Sequence, residues 1–100
     1  MNTAEAIDRF AAEIGEQVYI DIAKWHLYLK DAHLHTVVAE KLYPMLVDDS
    51  INEAAVNAIL QGISVKIGGG KKELPLADLI PMTCQMNLLD VVDQMKRELS

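Results

Sequence analysis

The sequence predicts a mostly α fold of the α+β class, with about four helices and one β-hairpin in a single compact domain over residues 1–100. Three observations carry that expectation. Apolar residues recur at helical spacing through the first 29 residues and again near the C-terminus. Between them, "ISVKIGGGKKELPL" alternates apolar and polar residues around a glycine run, which is the two-residue period of a hairpin. The hydrophobic share is 51% against 24% charged, a balance that supports one real core and excludes a disordered tail.

In the first element, Glu5 and Asp8 sit near an N-terminus that Thr3 can cap. Ile7, Ala11, Ile14, Val18, Ile22, Trp25 and Leu29 then follow steps of three and four, one continuous seam on a helix. Gly15 falls inside the seam and marks a bend or a break, so one helix and two are both open. Beyond it, Ile20, Leu27 and Leu34 form a second apolar row opposite the first, leaving Gln17, Asp21, Lys24 and Asp31 as the polar stripe. A helix apolar on two sides is covered by neighbours or by another subunit. The core is therefore expected around residues 18 to 29, with Ile20 and Leu27 as candidate partner-binding residues.

A second helix is expected over about 34–43, with Val38 and Leu42 inward and Pro44 stopping or kinking it. Ser50 and Glu53 have capping-box spacing for a third helix that ends at Gly62. In the hairpin, Ile63, Val65 and Ile67 face Leu74 and Leu76, and Pro75 confines the return strand to an edge. "LADLIP" reads as a turn-rich connection, and a last helix over about 83–98 gathers Cys84, Leu88, Val91, Val92, Met95 and Leu99 on one face.

Nine Lys and Arg against fifteen Asp and Glu give a formal charge of −6, which argues against nucleic acid and against docking on anionic lipid. No apolar run has the length of a membrane span, and the acidic N-terminus lacks the order of a secretory signal. One cysteine, Cys84, excludes an internal disulfide and fits a reducing compartment, so the chain reads as intracellular and soluble. Cys84 is expected to be an inert core thiol. The methionines fall mostly at core-like positions or beside prolines and call for no special role.

All three histidines lie within "AKWHLYLKDAHLHT". On a continuous helix His26 and His33 share a flank while His35 points away, so a three-histidine metal site requires the helix to break before His35. The plainer expectation has His26 and His33 partly buried, satisfying backbone or carboxylate groups. "IGGGKKE" lacks the spacing of a phosphate loop, and Lys66, Lys71 and Lys72 make one local basic spot suited to an acidic partner.

The stretches "YIDIAKWHLYLKDAHLHTVVAEKLYPML" and "GGGKKELPLADLIP", about 40% of the chain, resemble a small uncharacterised cyanobacterial family of about 100 residues. The resemblance implies a cyanobacterial source, no established activity and, for some members, thylakoid association; it carries over no catalytic residue. The expected function is a non-enzymatic interaction or accessory protein, without cofactor, acting with a protein partner or as a homo-oligomer. The expected location is the cytoplasm or the cytoplasmic face of the thylakoid, without direct membrane insertion. The alternative is a small metal- or cofactor-binding protein built on His26, His33 and His35, and a weaker third reading is a ligand pocket between hairpin and helices.

Overall fold

A computed structural model of the chain describes residues 3–22, 25–67 and 69–99. Lys24 of the expected polar stripe, Gly68 of the hairpin tip and the side chain of Ile22 lie outside what is described. The class is α+β, as expected, with five helices and two antiparallel hairpins among the described residues. In order these are α1 (Thr3–Gln17), β1 (Tyr19–Ile22), β2 (Trp25–Tyr28), α2 (His35–Val47), α3 (Glu53–Gln61), β3 (Ser64–Ile67), β4 (Lys72–Pro75), α4 (Leu76–Leu79) and α5 (Met82–Leu99).

The main correction concerns residues 18 to 29. Residues 19–22 and 25–28 pair as antiparallel strands and do not form a second stretch of helix. Tyr19 pairs with Tyr28, Ile20 with Leu27, Asp21 with His26 and Ile22 with Trp25. Aromatic and β-branched residues dominate the segment, and such side chains pack well on a pleated surface. The alternation puts Ile20 and Leu27 on one face, with Tyr19, Asp21, His26 and Tyr28 on the other. Ile20 is only 1% exposed, whereas Trp25, placed on the helical core seam above, is 75% exposed. The core is accordingly not centred on residues 18 to 29. It is shared among the elements, with Phe10, Ile14, Leu42, Leu60, Leu76 and Leu88 all fully enclosed alongside Val18, Ile20 and Leu29.

Gly15 is the reason α1 and the hairpin can lie together. The backbone N–H of Lys30 donates to Gly15 O at 3.3 Å, and that of Leu29 to Val18 O at 2.9 Å. A Cβ at Gly15 would stand 2.8 Å from Lys30 Cβ and 3.2 Å from Lys30 Cα. The glycine therefore marks a close approach inside α1, while the helix itself continues to Gln17.

The chain leaves β2 through a tight turn that ends in a left-handed residue, His33, at φ 57°. His33 N donates to Lys30 O at 3.3 Å and Leu34 N to Leu29 O at 2.9 Å, the paired bonds of a Schellman closure. The same device ends α2: Asp49, at φ 58°, donates to Leu46 O, and Ser50 N to Met45 O. Because glycine adopts this backbone without strain, His33→Gly is expected to raise stability by about 0.5–1 kcal/mol in urea unfolding, the relief exceeding the added freedom of the unfolded chain.

Two boundaries differ from expectation. Pro44 lies inside α2, which runs on to Val47. The bond forfeited by proline belongs to the carbonyl of Glu40; both residues are exposed, so water can satisfy it. Helix α3 is capped by Asn52, whose side chain accepts from Ala55 N at 2.8 Å, and not by Ser50. Ser50 donates its hydroxyl to Asp48 instead. The predicted hairpin of β3 and β4 is present, with Val65 opposite Leu74 and Ser64 opposite Pro75, but Leu76 opens the single turn of α4.

Candidate functional site

The histidines do not converge. His26 stands on the exposed face of β2, with its Nδ1 2.5 Å from Asp21 Oδ1 and its ring edge-on to Tyr19 at 4.5 Å. His33 is an exposed turn residue. His35 opens α2, half-buried, with Nδ1 enclosed and without a hydrogen-bond partner. The helix does end before His35, as a metal site required, yet among the described residues no three His, Cys, Asp or Glu side chains gather into a group that could hold a metal ion. The expectation that His26 and His33 are partly buried is corrected for both. His26 lies on the outer face of β2, though it does meet the Asp21 carboxylate, and a left-handed turn position holds the His33 backbone and leaves its ring outside.

Cys84 is fully buried on the inner face of α5, as expected. Its thiol neighbours Tyr19 and, with the partial desolvation of that phenol, holds the Tyr19 hydroxyl above its ordinary range. At the far end of α5, Lys96 lies 2.9 Å from Asp49, and that carboxylate raises the lysine above its ordinary value. These contacts tie elements together and present no nucleophile to solvent.

Two apolar surface features remain. The first is the hairpin β1–β2. Its inward face starts at buried Ile20, continues through half-buried Leu27 and ends at Trp25, where the row runs past the core into solvent. Ile20 is thus covered by its own chain and is withdrawn as a surface residue. Trp25, with Tyr28 at 42% exposure on the opposite face, takes its place. The second feature is a cleft of about 820 Å³ between α3 and α5. Its floor is the core side chains Val56, Leu60 and Leu88, and its wall carries Met82 and Met86, 79% and 63% exposed. Met82 follows Pro81, and Met86 departs from the core-like placement expected of most of the methionines. Their spacing, Met82–Met86–Leu89 at i, i+4 and i+7, lies off the Cys84–Leu88 face and was the available signal.

Lys66, Lys71 and Lys72 are exposed on the β3–β4 hairpin, with Lys66 opposite Glu73 across the strands. That cross-strand carboxylate offsets part of the basic spot.

The fold and its surface define a small, mostly helical α+β domain that offers apolar surface at one hairpin and one interhelical cleft. The chain belongs to the family described as protein of unknown function (DUF3181), whose model matches residues 7–95. It is 44% identical over 93 residues to thylakoid-associated protein slr0729 of Synechocystis sp. strain PCC 6803, covering 93% of this chain and 92% of that protein. No solved structure matches it.

Proposed function

We propose that this is a non-enzymatic accessory protein that docks on a protein partner at the cytoplasmic face of the thylakoid through the β1–β2 hairpin, with Trp25 and Leu27 at the contact. The observation that carries the reading is Trp25: a tryptophan three-quarters exposed at the end of an otherwise inward-facing row. Large aromatic side chains of this kind dominate interface energetics once desolvated. The thylakoid setting is supported by the name of the Synechocystis relative. Among the described residues no helix is long and apolar enough to cross a membrane, and a charge of −6 opposes anionic headgroups, so a protein receptor is favoured over lipid. The lysines at 66, 71 and 72 supply a subsidiary contact for an acidic patch on that receptor.

The test is cosedimentation of purified protein with thylakoid membranes, with protease-stripped membranes and with vesicles of thylakoid lipid. The expected result is binding to intact membranes alone, weakened on Trp25→Ala. Equal binding to protein-free vesicles, or no effect of Trp25→Ala, sinks the proposal. Because Trp25 is the sole tryptophan of the chain, its emission reports on the hairpin directly and should shift to the blue on docking.

A further inference from the structure

The cleft between α3 and α5 exists because of how the helices are shared out. Helix α3 packs on α2 and α4, whereas α5 packs on α1 and α2, and the two diverge above a floor of core residues. The cleft floor is apolar, and Met82 and Met86 on the flank rise into solvent. Met82, Met86 and Leu89 form a continuous stripe along one wall. Methionine side chains are unbranched and polarizable, and they remodel around bulky apolar guests. A site for a compact small molecule places convergent polar groups at its base. Here the polar lining sits on the walls, and the Gln85 amide is turned toward the carbonyls of Ile80 and Ala77, at 3.3 and 3.5 Å.

Charge selects the occupant. Glu53 is the one charged residue among those that line the cleft. Beyond Leu89 the same stripe of α5 runs into exposed Asp93, which is flanked by Lys96, engaged by Asp49, and by Arg97, whose Nε donates to the Asp93 carbonyl at 3.4 Å. The charge of the cleft itself is therefore that of Glu53, within a chain of formal charge −6. A second copy of this chain would bring the same Glu53 carboxylate and another −6 to the contact, an unfavourable pairing for a symmetric dimer.

We propose that the α3–α5 groove receives an amphipathic helix of a partner protein, with apolar residues at i, i+3 or i+4, and i+7 laid along Met82, Met86 and Leu89, and with Lys or Arg on its flank beside Glu53. This is the helix-in-groove mode of recognition. It uses a surface separate from the hairpin, so each site is testable without the other.

The experiment uses the full chain and a fluorescein-labelled synthetic helix of leucine and lysine with that spacing, alongside the same peptide carrying glutamate in place of lysine. Anisotropy at physiological salt gives affinity, and amide chemical shifts locate the contact. The lysine peptide is expected to bind and to shift α3 and α5 resonances, and the glutamate peptide to bind much less. Met82→Ser with Met86→Ser should weaken binding by about tenfold or more, since roughly 1.4 kcal/mol of lost apolar contact suffices. Glu53→Gln should weaken it by a smaller factor and flatten its salt dependence. Both variants change exposed side chains, and circular dichroism checks that they remain folded. Absence of binding, binding untouched by the methionine pair, equal binding of the glutamate peptide, or occupation of the groove by a second copy would each overturn the proposal.

Discussion

Ile20→Ala is expected to cost about 2–5 kcal/mol of unfolding free energy, while Trp25→Ala costs less than about 1 kcal/mol. The contrast follows from the hairpin. Ile20 is enclosed by the core, and truncating it leaves a cavity that its packed neighbours fill only in part. Trp25 loses a cross-strand neighbour at most, because most of its ring is already in water. If residues 18 to 29 continued α1 as a helix, the ranking would invert, since Trp25 would lie on the core seam and Ile20 on the outer row. Urea denaturation of both variants decides the matter: the midpoint should fall steeply for Ile20→Ala at unchanged slope and hardly move for Trp25→Ala. A domain of this size holds about 5–15 kcal/mol in total, so the isoleucine variant stands near the edge of folding.

Gly15→Ala should destabilise the protein by about 1–3 kcal/mol, against the usual gain of roughly 1 kcal/mol when glycine inside a helix becomes alanine. The helical gain is real, because Gly15 lies in the last turns of α1. It is outweighed by steric conflict. The new methyl would sit 2.8 Å from Lys30 Cβ, 3.1 Å from His35 Cβ and 3.2 Å from Lys30 Cα, and the last of these is backbone. Relief requires α1 to move away from the turn after β2 and stretches the bond from Lys30 N to Gly15 O. A thermal scan showing Gly15→Ala as stable as the parent, or more so, would mean that the approach is looser than described. Gly62 offers the comparison: an added Cβ there meets nothing closer than 3.5 Å, so Gly62→Ala should be far milder.

Much of this architecture is written locally. The burial of Cys84, Leu88, Val91, Val92 and Met95 follows from one helical face, and α5 buries those five residues, whereas Leu99, expected on the same face, is 38% exposed at the helix end. Alternation around the glycine run places β3 against β4, with Gly69 and Gly70 at φ 73° and 87° in the turn between them, where a side chain would be strained. The stop at Gly62 likewise follows from its position after an alanine-rich helix. Each of these segments satisfies a single periodicity, so the chain pattern and the fold agree.

Residues 18 to 29 satisfy two. Apolar positions at 18, 22, 25 and 29 match a helix, and Ile20 with Leu27 can be read as its second row or as a cross-strand pair. The strand solution leaves Tyr19, Asp21, His26 and Tyr28 together on one face, and that alternation is visible in the sequence of each strand. What decides between them is not local. Gly15 lets the turn after β2 dock on α1, and docking covers Ile20 and Leu29. The candidate sites divide in the same way. The sequence by itself determined the class, the charge that disfavours nucleic acid and lipid, the inner face of α5 and the family resemblance. Only the tertiary structure decided that the histidines stay apart, that Trp25 overhangs the core and that α3 and α5 diverge to leave a groove. The reason is physical: periodicity records which side of a segment is buried, whereas a surface site depends on which neighbours do the burying and where they fall short.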